Sequence, residues 1–158
     1  MEQVLTQYGV LAGTAERTAL RLGALACVAL NTCSLAFAEA ERYLPQLLDR
    51  LDAVIRAHGL ANEGILIRMT GCARPYLGEI GLVGKSVGRY NLYLGANHAG
   101  ERLNKLYREM LDEEGIVQEL TPLLAAYAQH RLPSERFGDF VIRQGYVAAT
   151  THGQNFHA

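Results

Sequence analysis

Apolar residues recur at helical spacing most clearly at Leu47, Leu48, Leu51, Val54 and Ile55, a stripe that predicts an amphipathic helix running through His58. Pro45 bends or restarts the chain ahead of it, and Gly59 supplies the stop. A second stripe at Val117, Leu120, Leu123, Leu124 and Tyr127 predicts a helix over 116–131. A shorter one is expected from Ser134 or Arg136 through Arg143, with Gly145 as its terminator. The stretch 14–22 is helix-compatible up to Gly23, Ser34 is placed to cap a helix over 35–43, and another helix is expected over 101–111. Short apolar or alternating runs predict strands over 24–30, 65–70, 80–84 and 90–95. Residues 85–89, rich in glycine and polar side chains, suit a hairpin between the last two, and 71–75 reads as a loop.

No internal repeat is visible. Strands and helices alternate at first and helices then dominate, so the expected fold is α/β (α+β), a mixed sheet with flanking helices. One domain over 1–147 is expected, followed by a tail over 148–158 without periodicity. A chain of 158 residues can bury roughly 70% of its unfolded surface. With 49% hydrophobic and 20% charged residues and a formal net charge of -1, it is neither a disordered chain nor a basic nucleic-acid binder. The apolar stretch 22–30 is too short to span a bilayer, and the first residues lack the charged start of a signal peptide, so a cytoplasmic protein is expected. The early entry into apolar sequence, with no capped element over 3–13, points to a segment of a longer polypeptide.

The chain has three cysteines, Cys27, Cys33 and Cys72, an odd number that argues against a disulfide framework and leaves reduced thiols or metal ligands. Cys27 and Cys33 are separated by five residues, and Cys72 follows Thr70-Gly71 on a glycine-containing turn. Cysteines at element ends can aim their sulfurs at one iron site without bending regular structure. The same residue type is also among the most often buried, so spacing alone leaves core packing open.

The words around the cysteines decide more. The segment Ala26 to Arg42, with Cys27-Val28-Ala29-Leu30-Asn31-Thr32-Cys33, resembles the first cluster motif of the sirohaem-dependent nitrite/sulfite reductase family. Ile67 to Cys72, continuing through Ala73-Arg74-Pro75-Tyr76-Leu77-Gly78-Glu79 to Lys85, resembles the second. Gly88 to Gly95 and Arg136-Phe137-Gly138-Asp139-Phe140 are similar to the haemoprotein of the NADPH-linked sulfite branch, which disfavours ferredoxin-dependent nitrite reduction. The resemblance runs from about Tyr8 to Val147 and identifies the chain as the carboxy-terminal part of such a haemoprotein.

It implies that Cys27, Cys33 and Cys72 ligate a 4Fe–4S cluster coupled to sirohaem, with Arg74 contacting the sirohaem carboxylates. It also implies reduction of sulfite to sulfide by six electrons. The partners implied are the remaining haemoprotein domains and a flavoprotein reductase subunit using NADPH, with no nucleic acid and no membrane. No catalytic residue is assigned within the chain. Lys85 and Arg89 are weaker candidates for the same carboxylates, and Glu39, Glu41 and Glu79 read as solvated helix-face or strand-edge groups.

One departure matters. The family loop runs Thr-Gly-Cys, then Pro-Asn-Gly, then a second cysteine, whereas here Cys72 leads straight into Ala73-Arg74, so four residues including one ligand are missing. Aligned from the left Cys72 is the first of that pair, and aligned from the right the second. Either way three thiolates remain, and the isolated chain is expected not to turn over sulfite. A folded remnant with merely buried cysteines is the competing reading.

Overall fold

Leu44, Leu47, Leu48, Leu51 and Ile55 are all buried along one face of a single helix, and that helix organises the core. The computed structural model of the chain describes residues 1–73, 75–152 and 154–155. Its elements are α1 (Glu2–Gln7), a 3-10 turn (Thr14–Glu16), α2 (Ala19–Gly23), β1 (Leu25–Ala26), α3 (Leu44–Ala57), β2 (Ile67–Thr70), β3 (Ile80–Ser86), β4 (Arg89–Leu94), β5 (Lys105–Leu111), α4 (Glu113–His130) and α5 (Phe137–Arg143). Pro45 sits in the first turn of α3, where its missing N–H costs no hydrogen bond. Gly59 ends the helix at φ 69°, and the Leu60 amide donates back to the Ile55 carbonyl at 2.9 Å.

α3 packs against α4, whose Ile116, Leu120, Leu123, Leu124 and Tyr127 are buried. Each such leucine contributes about 1.5–3 kcal/mol relative to an exposed one. That packing carries α4 through Pro122, which removes one of its internal hydrogen bonds. Tyr127 meets Phe137 and Phe140 edge-on at 5.5 and 5.3 Å between centroids, which docks α5. Thr18 caps α2 and donates to Asp52 of α3 at 2.6 Å, while Arg21 reaches Asp52 and Asp49 at 2.8 and 2.6 Å.

The five strands lie in the order β1-β2-β3-β4-β5. β1 and β2 are parallel, as are β2 and β3, whereas the β3–β4 hairpin and the β4–β5 pair are antiparallel. A mixed sheet with flanking helices is thus the observed fold, as the sequence pattern predicts. No helix among the described residues is long and apolar enough to cross a membrane.

Four local expectations are corrected. The buried strand expected over 24–30 shrinks to Leu25–Ala26, with Leu25 and Val28 exposed, because only two residues find ladder partners on β2. The helix expected over 35–43 is absent. There the amides of Phe37 and Glu41 bond to Gly71 and Cys27 carbonyls, so the segment is tied to the cysteine loops instead of to itself. The helix expected over 101–111 is replaced by a loop and β5, an edge strand whose Lys105, Arg108 and Glu109 suit an unpaired border. The region 14–22 divides into the 3-10 turn and α2, and α1 forms ahead of it with no buried residue. Arg74 and residues 153 and 156–158 lie outside the described residues, so the contact expected of Arg74, and part of the tail over 148–158, are not described.

Candidate functional site

Parallel pairing of β1 with β2 aligns the C-terminal ends of the two strands, and the cysteine loops leave from those ends. Cys27 follows β1 directly, and its amide extends the ladder to the Met69 carbonyl at 3.1 Å. Gly71 follows β2, and its amide donates to Cys27 Sγ at 3.3 Å. Cys72 is the next residue, so two cysteines from distant parts of the sequence lie on adjoining loops.

The loop carrying Cys33 folds back over Gly71. Cys33 donates its amide to the Ala29 carbonyl at 2.7 Å, and the Phe37 amide donates to the Gly71 carbonyl at 2.9 Å. Ala29 and Asn31 adopt left-handed backbone, at φ 49° and 39°, to make this turn. Gly71 is required by close approach: a Cβ there would stand 2.8 Å from the Cβ atoms of Ala29 and Ala36 and from the Ala38 carbonyl oxygen. On the next strand, a Cβ at Gly84 would meet Ala38 Cβ and the Gly71 oxygen at 2.6 Å. Small residues on loop and sheet therefore seat the cysteine loops on the strands. The turn after β2 is closed by the Thr70 hydroxyl, which donates to the Ala73 carbonyl.

Cys27 is exposed and Cys33 and Cys72 are half-buried. Leu25, Val28, Leu35 and Phe37, all on or beside the first loop, are exposed, and so are Tyr76 and Leu77 after the second. The Lys85–Arg89 turn projects from the same end of the sheet, and Arg89 pairs with Asp112 at 3.0 Å.

Thiolate donors suit iron. Their number and placement here do not suit a four-cornered cluster: the chain has three cysteines, and among the described residues no three Cys, His, Asp or Glu side chains gather to hold a metal ion. The chain's own residues do not complete a four-thiolate site.

No family model matches the chain. It is 62% identical, over 162 aligned positions, to the sulfite reductase (NADPH) hemoprotein beta-component of Chromohalobacter salexigens, an alignment that covers all of this chain and 28% of that protein. Along its whole length this chain is similar to one segment of a sulfite reductase haemoprotein. The hemoprotein beta-components of Bacillus licheniformis and Geobacillus thermodenitrificans are 54% and 56% identical over 161 positions, each covering 99% of the chain. The chain spans 28% of the length of these curated haemoprotein relatives. The 162 positions against 158 residues leave at least four positions of the Chromohalobacter relative without a counterpart, the same number as the residues expected to be missing after Cys72. The structure of the Mycobacterium tuberculosis NirA protein shares the fold, with a TM-score of 0.70 at 20% identity over 90% of this chain and 30% of that one.

Glu79 is the residue that sequence reasoning misplaced. Expected at a solvated strand edge, it is fully buried, and its carboxylate accepts the Leu66 amide and the Gly138 amide, each at 2.9 Å. His98 Nδ1 stands 3.7 Å from it. Two backbone donors at the end of the sheet need acceptors, and a carboxylate with two oxygens supplies both bonds at once. The usable signal was a charge beside Ile80, at the mouth of an apolar strand, in the middle of a family word.

Glu39 and Glu41 also sit off any helix, in the turns before α3, with Glu39 half-buried and Glu41 exposed. Tyr90 donates its hydroxyl to the Glu39 carbonyl at 2.9 Å. Burial, helped by the charges of Glu39 and Glu113, pushes the Tyr90 phenol up to about 12.

Proposed function

We propose that this chain is a segment of the haemoprotein of an NADPH-linked sulfite reductase, the part whose Cys27, Cys33 and Cys72 face the iron–sulfur cluster and sirohaem. The observation that supports the reading is 62% identity along the whole chain to a protein of that name. The adjoining loops at the ends of β1 and β2 agree with it.

In the assembled enzyme Cys27, Cys33 and Cys72 would be the thiols this chain offers to a cluster, which with sirohaem would supply the electron-transfer chemistry for the six-electron reduction of sulfite to sulfide. The chain's contribution is to hold thiols on a seated pair of loops and to present an apolar rim, Val28, Leu35 and Phe37, to the remaining haemoprotein domains. Electrons come from a flavoprotein reductase subunit using NADPH. With three thiols and a shortened Cys72 loop, the segment alone is assigned no turnover. Arg74 is kept as the proposed contact to sirohaem carboxylates.

Exchange of the corresponding segment of the Chromohalobacter haemoprotein for this chain tests the assignment. A folded haemoprotein that still assembles with the flavoprotein and has sharply reduced sulfite reduction is expected. Failure of the chimera to fold or assemble, while the parent protein does both, would overturn it. The competing reading, a remnant that takes up no iron, is separated from it by iron and sulfide analysis of the chain after anaerobic reconstitution.

A further inference from the structure

Beside the cysteine loops, and distinct from them, lies a cleft of about 410 Å³ lined by Glu39, Arg42, Tyr43, Gln46, Val87, Tyr90 and their neighbours Gly88 and Glu113. It is bounded by the turns before α3, the tip of the β3–β4 hairpin and the first turn of α4. Its volume falls within the range of small-ligand sites.

Two polar atoms in its wall are buried without a hydrogen-bond partner among the described residues, Glu39 Oε2 and the Tyr43 hydroxyl. Tyr43 is 9% exposed, and its ring stacks on Tyr90 with centroids 5.3 Å apart and planes 24° from parallel. Native interiors pair such atoms, and each one left unpaired costs about 1–3 kcal/mol. Two in one cleft point to a ligand that meets both.

The chemistry of the unpaired atoms selects that ligand. A carboxylate oxygen only accepts, so the ligand must bring a donor. An anion would face Glu39 and Glu113 together. The cations already at hand are committed: Arg42 donates to the Leu30 carbonyl at 3.2 Å and stands 3.7 Å from the other Glu39 oxygen, and Arg50 pairs with Glu113 and Glu114 at 3.6 and 2.7 Å. Val87, 82% exposed, gives the rim an apolar surface on which a hydrocarbon stem can lie. The unfilled requirement is a flat or compact cationic donor.

We propose that this cleft binds a guanidinium group, whose fork of N–H donors reaches Glu39 Oε2 and the Tyr43 hydroxyl together while its stem lies against Val87. The geometry of a fork matches a carboxylate oxygen with a neighbouring hydroxyl better than a point-like ammonium does. The group can come from a free small molecule or from an arginine side chain of another polypeptide. This inference does not rest on the haemoprotein assignment and stands or falls without it.

The test uses the full chain and two probes, agmatine as the free small molecule and a short arginine-containing peptide with blocked ends. Melting temperature and amide NMR shifts are followed as each is added. A saturable rise in melting temperature, with shifts centred on Glu39, Tyr43, Val87 and Tyr90, is expected at millimolar probe. The effect should fall at least tenfold in apparent affinity in Glu39→Gln, which keeps the shape of the side chain. Saturation by the peptide but not by agmatine assigns the source to a partner chain, and saturation by agmatine assigns it to a free ligand. The proposal is overturned if neither probe gives a saturable response. It is also overturned if Glu39→Gln responds as the parent does, or if Tyr43→Phe raises the melting temperature and leaves the response intact, the behaviour of a hydroxyl with no ligand to meet.

Discussion

Glu79 Oε1 accepts the Gly138 amide at 2.9 Å, joining the mouth of β3 to the start of α5 across 59 positions of sequence. Its second oxygen accepts the Leu66 amide just ahead of β2, so one carboxylate ties three elements at the end of the sheet opposite the cysteine loops. Gly138 can approach because it has no side chain: a Cβ there would stand 1.8 Å from the Ala96 carbonyl oxygen.

Replacing Glu79 by Ala leaves the buried Gly138 amide and the part-buried Leu66 amide unpaired, at about 1–3 kcal/mol each, so a loss of roughly 2–6 kcal/mol is expected. Glu79→Gln retains one acceptor oxygen and should lose about half as much. Urea unfolding of the two variants checks this, and equal stability of both with the parent would mean that the carboxylate is dispensable.

A second substitution addresses the cysteine loops. Gly71→Ala puts a methyl group 2.8 Å from Ala29 Cβ, Ala36 Cβ and the Ala38 carbonyl oxygen, where backbone has to move. Overpacking of this kind costs about 1–3 kcal/mol. The displaced Gly71 amide no longer holds Cys27 Sγ, so thiol labelling of the variant should be faster than in the parent. An unchanged melting temperature with unchanged labelling would show that the loop is not seated as described.

How legible these features were depends on the range of the interactions behind them. α3, α4, α5 and the β3–β4 hairpin follow from local periodicity and turn chemistry, because each buries a face whose spacing is written in neighbouring residues. β5 was missed because its pattern serves an edge with two register shifts against β4 and Met110 at φ 55°, which blurs the alternation. The segment 35–43 looked helical from composition, yet its amides bond across to Gly71 and Cys27, partners that no local window contains. The three cysteines were linked in the sequence only through the family words, and among the described residues they do not gather to hold a metal ion. Glu79 was signalled only by a charge at the mouth of an apolar strand, and the Tyr43–Glu39 cleft by nothing local, since each is defined by backbone atoms or rings brought together from far along the chain.

Acid should act on the start of α4. The Gly115 amide, and then Arg89, hold the Asp112 carboxyl below its ordinary value of 3.8. A depressed carboxyl contributes stability that is present above its unfolded pKa and is lost as pH falls through the lowered one. Asp112→Asn keeps the helix cap but not the charge. Its melting temperature should therefore lie slightly below the parent's at neutral pH and converge with it as pH drops below 3.8. A constant gap between the two at all pH values would exclude the charge as the cause.

The last expectation concerns the loop after Cys72, where the family resemblance implies four missing residues. Inserting Pro-Asn-Gly-Cys after Cys72, within a complete haemoprotein carrying this segment, should raise iron and sulfide content and restore sulfite reduction. Ligand number governs retention: a cluster with one corner open to water exchanges iron more readily than one held by four thiolates, and its potential shifts with exposure. The insertion also lengthens a turn that is now closed by the Thr70 hydroxyl on the Ala73 carbonyl, giving the backbone reach that a second ligand needs. A control insertion, Pro-Asn-Gly-Ser, separates the two effects, since it restores the length without the thiol. Recovery with cysteine alone assigns the defect to the missing ligand, and recovery with both assigns it to loop length. Equal iron content and equal sulfite reduction by the short and restored loops would show that this segment works with three thiolates and that the missing residues are not what limits it.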